Sequence, residues 1–164
     1  MTSPFQPAGV APGEIRPVRG GLLVVGFGNT LRQDDGVGPF VAAQVEALCL
    51  PGVATLAAPL LSPEHAEAVS GARLVVFVDA AQGGAGEVCL RPLAAAASSQ
   101  LTTHAAEPAT LLALARDLYG RAPEAYLLTI PADGLGFGEG FSERAALGAE
   151  TALAEVTSLL LSRL

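Results

Sequence analysis

LLVVGFGNTLRQDDGVG, from Leu22 to Gly38, joins a short apolar run to a glycine-lined loop that carries two adjacent carboxylates, Asp34 and Asp35. The first six residues are apolar and rich in β-branched side chains, and glycines bound them. That pattern suits a strand buried on both faces, as parallel sheets require. After the acidic pair, Val37, Phe40, Val41, Gln44, Val45 and Leu48 recur at helical spacing, which predicts a helix from about Gly36 to Cys49. A carboxylate at the start of that helix is favoured by its unsatisfied N–H groups. Strand, loop and helix in this order make the opening unit of an α/β fold.

The same alternation continues outward. VATLAA (Val53–Ala58) reads as a second, weaker strand. SPEHAEAVSG carries an N-cap serine, a proline at the first helical position and a closing glycine, so a short helix is expected there, with His65 exposed on it. RLVVFVDA is the clearest strand, five apolar residues from Leu74 to Val78 ending at Asp79. GEVCLRPL predicts an edge strand because Pro92 follows it. Pro108 opens a helix, with Glu107 as its cap and Gly120 closing it. AYLLTI (Ala125–Ile130) is a further strand, PADGLGFGEGF a glycine-rich loop, and Ser142 the N-cap of a last amphipathic helix. The fold class predicted is a single-domain, three-layer α/β architecture: an open, mostly parallel twisted sheet with helices on both faces, built through right-handed crossovers. Residues 1–20, with several prolines and no continuous apolar stretch, read as a disordered leader, and 21–164 as the domain.

Composition narrows the function. The 164 residues are 51% apolar and 15% charged, as in a globular chain, with a formal charge of −7. That charge argues against nucleic acid or an anionic membrane surface as partner. All nine cationic side chains are arginines. The absence of lysine excludes the phosphate-loop lysine and Schiff-base chemistry. Cys49 and Cys89 form no C-x-x-C and lie in apolar surroundings, which reads as two reduced core thiols of a cytoplasmic protein. No apolar run reaches the ~20 residues of a membrane span.

In sheets of this kind ligands bind beyond the carboxyl ends of the strands. That rule selects the acidic loop after the first strand, Asp79 at the end of the third, and His104 in the loop before the helix at Pro108. Each has a plain structural reading: a helix cap, a strand-end turn, a surface histidine. Together, two carboxylates and an imidazole form a ligand set with open positions for a divalent transition metal, zinc and nickel among them. Spread over three loops, such a set holds an ion only loosely by itself. The glycines around the carboxylates leave room for close approach by another molecule. A dinucleotide site is disfavoured, because Leu31 stands where the third glycine belongs and the acidic pair would repel a pyrophosphate. A receiver-like phosphoacceptor or other non-enzymatic partner-binding domain is the rival on the same sheet, but it wants a lysine that the chain lacks. A free-standing metal hydrolase with its own ion is a third reading.

GFGNTLRQDDGVG (Gly26–Gly38) resembles the G-x-G-N-x-L-x-x-D-[DE]-G-x-G signature of the hydrogenase maturation proteases, the endopeptidases that trim the C-terminus of [NiFe] hydrogenase large subunits. VVFVDA (Val75–Ala80), LTTH with its following helix, and the FSER lead into the last helix are similar to the family's later blocks. The resemblance implies Asp35, Asp79 and His104 as the metal-contacting set, Asp35 and Asp79 as the catalytic carboxylates, and Gly28, Asn29 and Gly36 as substrate contacts. It implies a nickel ion supplied by the substrate, with no tightly bound metal of the protease's own. It also implies a large-subunit precursor as partner, and a monomer.

Overall fold

The computed structural model describes residues 19–82, 86–97 and 107–164. The proposed leader and His104 therefore fall outside the described residues, apart from Arg19 and Gly20 at the leader's end. Strands β1 (Leu22–Phe27), β2 (Val53–Ala58), β3 (Leu74–Gln82), β4 (Cys89–Pro92) and β5 (Glu124–Ala132) form one sheet in the order β2-β1-β3-β5-β4. All neighbours pair parallel except β4, which runs antiparallel along β5 at the edge. The helices are α1 (Val37–Ala47), α2 (Ala66–Gly71), α3 (Pro108–Tyr119) and α4 (Glu143–Leu161).

The apolar runs of β1 and β3 serve two cores at once, because successive side chains point to opposite faces. Leu22, Val24, Leu74, Val76 and Val78 pack with α1 and α4. Leu23, Val25, Phe27, Val75 and Phe77 pack with α2 and α3. Each fully buried side chain of this size contributes about 1.5–3 kcal/mol. The expected three-layer α/β architecture is the one observed.

Local signals set several helix ends. The Ser142 hydroxyl accepts from the Ala145 N–H at 3.2 Å and starts α4. Pro108 begins α3, and Gly120, at φ 79°, ends it in a left-handed conformation. Three expectations are corrected. Strands β3 and β5 both run further than their apolar cores, because they pair with each other as far as Gln82↔Ala132, which leaves Asp79 inside β3 opposite Thr129. His65 is buried, since its ring closes the start of the short helix: Nδ1 accepts from the Ser62 N–H at 3.1 Å. Cys49 and Cys89 are exposed, one past the end of α1 and the other on the edge strand, so they are not core thiols.

Candidate active site

β1 has β2 on one side and β3 on the other, and the chain leaves β1 and β3 toward different flanks of the sheet. A crevice opens at such a switch point, beyond the carboxyl ends of the strands. From β1 the chain passes through Asn29 and Arg32 into a 3₁₀ turn, Gln33–Gly36, which brings both aspartates over the sheet.

Close backbone packing makes this possible. A Cβ on Gly26 would stand 2.1 Å from the Gly38 carbonyl oxygen, and one on Gly28 would stand 1.9 Å from that of Asp35. Gly28 also has φ 144°, a conformation that disfavours side chains. The turn thus lies directly on β1. Gly28 and Gly36 are buried, and Asp35 and Thr30 occupy the space beside them. Asn29 fixes the loop: its N–H donates to Asp35 Oδ2 at 2.6 Å, and its Oδ1 accepts from the Leu31 N–H at 2.9 Å.

The two aspartates part company here. Asp34 is 0% exposed. Its Oδ2 accepts from the N–H groups of Asp133 and Gly134 (2.8 and 3.2 Å) and from the Ser142 hydroxyl (2.7 Å), while Oδ1 accepts from the Ser142 N–H (2.7 Å). Burial pushes its pKa up, but these bonds outweigh it and hold the carboxyl below the usual range. Sequence reasoning gave Asp34 no role of its own, because its partners stand far along the chain. Asp35 is only partly buried and lines an open cleft of about 510 Å³ with Arg32, Gln82, Leu135 and Gly136.

Asp79 rises from β3 beside this loop. Burial pushes its pKa up to about 6; the Ala80 N–H opposes the shift, and the Asp35 charge adds to it. The two carboxylates expected to act together are therefore near enough to feel each other's charge, and separate segments carry them. A neighbouring negative charge favours the protonated form of a carboxyl, or a cation nearby. Among the described residues no group of three or more His, Cys, Asp or Glu side chains could hold a metal ion. The third expected ligand, His104, is not among those residues. Also among the described residues, no helix is long and apolar enough to cross a membrane.

No protein-family model matches the chain, and no curated protein matches it. Solved structures do. A [NiFe] hydrogenase maturation protease, HycI, from Thermococcus kodakarensis KOD1 is 24% identical, with a TM-score of 0.67 over 85% of this chain and 92% of that one. The hydrogenase maturating endopeptidase HybD from E. coli is 22% identical, with a TM-score of 0.64 over 87% and 93%. A hydrogenase 2 maturation peptidase from Thaumarchaeota archaeon SCGC_AB-539-E09 is 20% identical, with a TM-score of 0.62 over 85% and 97%. The likeness extends along nearly the whole length of each, and the fold of this chain is that of the hydrogenase maturation proteases, as its glycine–aspartate motif led one to expect.

Proposed function

We propose that this chain is an endopeptidase that removes the C-terminal extension of a nickel-loaded [NiFe] hydrogenase large-subunit precursor. What supports the reading is that Asp35, in the loop after β1, lies near enough to Asp79 on β3 for its charge to help raise the Asp79 pKa, at the switch point of a fold that solved maturation proteases also have. Nickel arrives with the client, as part of the substrate. Asp35 and Asp79 engage it, with His104 as the third group, while Gly28, Asn29 and Gly36 shape the loop that presents Asp35 to the client. The incomplete ligand set binds free metal weakly, so a precursor without nickel is not engaged.

Peptide hydrolysis needs a water that attacks the scissile carbonyl, a group that takes the water's proton, and a proton for the departing amine as the C–N bond breaks. The carboxyl groups of Asp35 and Asp79 are the groups that can take up that proton and return it to the amine. The client's chain would lie in the cleft of about 510 Å³ beside Asp35.

The reading is tested by incubating the protein with a purified large-subunit precursor, with and without nickel, and following the precursor's mass. Cleavage is expected only of the nickel-loaded form. Asp35→Asn and Asp79→Asn should each slow it by about 10²–10⁴-fold while the fold persists. Cleavage at the normal rate by both variants would remove these residues from the reaction.

A further inference from the structure

We propose that Asp34 is a positioning residue, which straps the loop between β5 and α4 into place as the second wall of the cleft. The loop, residues 133–142, has little conformation of its own. Glycines stand at 134, 136, 138 and 140, with φ 142° at Gly138 and 93° at Gly140. Such a segment samples many states unless it is tied down.

One buried carboxylate ties it at both ends. The N–H groups of Asp133 and Gly134 at its start, and the N–H and hydroxyl of Ser142 at its finish, all donate to Asp34. The middle is held by the acidic loop's backbone. The Gly138 N–H donates to the Leu31 carbonyl at 2.9 Å, and the Gln33 N–H donates to the Gly138 carbonyl at 3.0 Å. The Gln33 side chain lies against Gly134, Gly136 and Gly138. At the tip, Phe137 is 83% exposed and sits 5.1 Å from the Arg32 guanidinium.

The result is a cleft lined by Arg32 and Asp35 of the acidic loop, Leu135 and Gly136 of this loop, and Gln82 of β3. Asp34 has no exposed surface, so it cannot touch a client itself. Asp35 is held independently by the N–H of Asn29. Loss of the strap therefore loosens the Leu135–Gly136 wall and leaves the reacting carboxylates where they are. Client recognition should weaken more than the chemical step.

The consequence for cleavage rests on the protease reading above; the consequence for the loop does not. The chain has no tryptophan, so Phe137→Trp places its one tryptophan at the loop tip, where it can be excited apart from the tyrosines. Its anisotropy decay is measured without metal or client in three proteins: F137W alone, with Asp34→Asn, and with Ser142→Ala. Asp34→Asn and Ser142→Ala should each at least double the amplitude of the nanosecond component, with far-UV circular dichroism unchanged. In the precursor assay, made without the fluorophore, Ser142→Ala should raise KM about tenfold and change kcat less than threefold. An unaltered decay in the folded variants overturns the proposal, as does a fall in kcat at constant KM. If Asp34→Asn does not fold, Ser142→Ala decides, since it keeps three of the four bonds. If the wild type cleaves no precursor, the protease reading fails and the anisotropy still decides the strap.

Discussion

Asp34 and Asp35 share a peptide bond and little else. One is sealed inside, saturated with donors; the other faces a cleft near a third carboxylate. Asp79 shows what that company costs. Its pKa is pushed up from 3.8 to about 6, so between those values the native chain keeps a proton that the unfolded chain has lost. Where the native state binds more protons, stability falls as pH rises. A shift of this size corresponds to ~3 kcal/mol at most, and screening of a partly exposed group reduces it to about 1–2 kcal/mol. Asp79→Asn should therefore be the more stable protein at pH 7 by about that amount, with the advantage fading toward pH 4. Urea unfolding at the two pH values measures it, and an advantage that stays constant with pH would refute the burial of Asp79's charge. The rule that ligands bind beyond strand ends marked the acidic loop and Asp79 as candidates, and only the family resemblance singled out Asp35. The physical pattern alone did not separate Asp34 from its neighbour, because the donors that bury Asp34 come from residues 133–142 and leave no local signal.

At the scale of elements, the strand–loop–helix unit was legible because its period changes from continuous apolar to helical within a few residues. The ends of β3 and β5 were not, since pairing between strands distant in sequence sets them. His65 was misjudged for a similar reason: a single histidine in a short polar stretch gives no sign that its ring will cap a turn. The glycines were visible, but their reason was hidden. Gly26 and Gly120 separate two uses. At Gly26 a methyl would strike the Gly38 backbone, which has nowhere to go. At Gly120 nothing lies within 4 Å, and only the φ of 79° resists a side chain. Gly120→Ala should then cost about 1–2 kcal/mol, and Gly120→Asn less, because asparagine tolerates the left-handed region. Gly26→Ala should cost upwards of ~3 kcal/mol or abolish folding, because α1 must leave β1. Chemical denaturation of the three variants orders them, and a Gly26→Ala protein as stable as Gly120→Asn would show that α1 does not lie on β1.

Across the whole molecule, the site is assembled from segments that only the complete sheet brings together, so it exists in the native state and not in the unfolded one. Any ion that binds it must raise stability by RT ln(1 + [L]/Kd). This separates an ion that belongs to the client from one that belongs to the chain. A resident ion with a micromolar Kd, supplied at a hundredfold excess, adds about 2.7 kcal/mol. In a domain of this size that lifts the melting temperature by roughly 5–10 °C. Asp35 in its loop and Asp79 in β3, the latter already resisting ionisation, offer a poorer site; at a Kd near 1 mM the same concentration of nickel, ~0.1 mM, adds less than about 0.1 kcal/mol. Thermal melts in ~0.1 mM nickel should accordingly match melts in chelator to within about 1 °C. A rise of several degrees, lost when Asp35 and Asp79 are both changed to asparagine, would mean that the chain keeps an ion of its own. The ion's arrival could then no longer be what distinguishes a loaded client from an empty one.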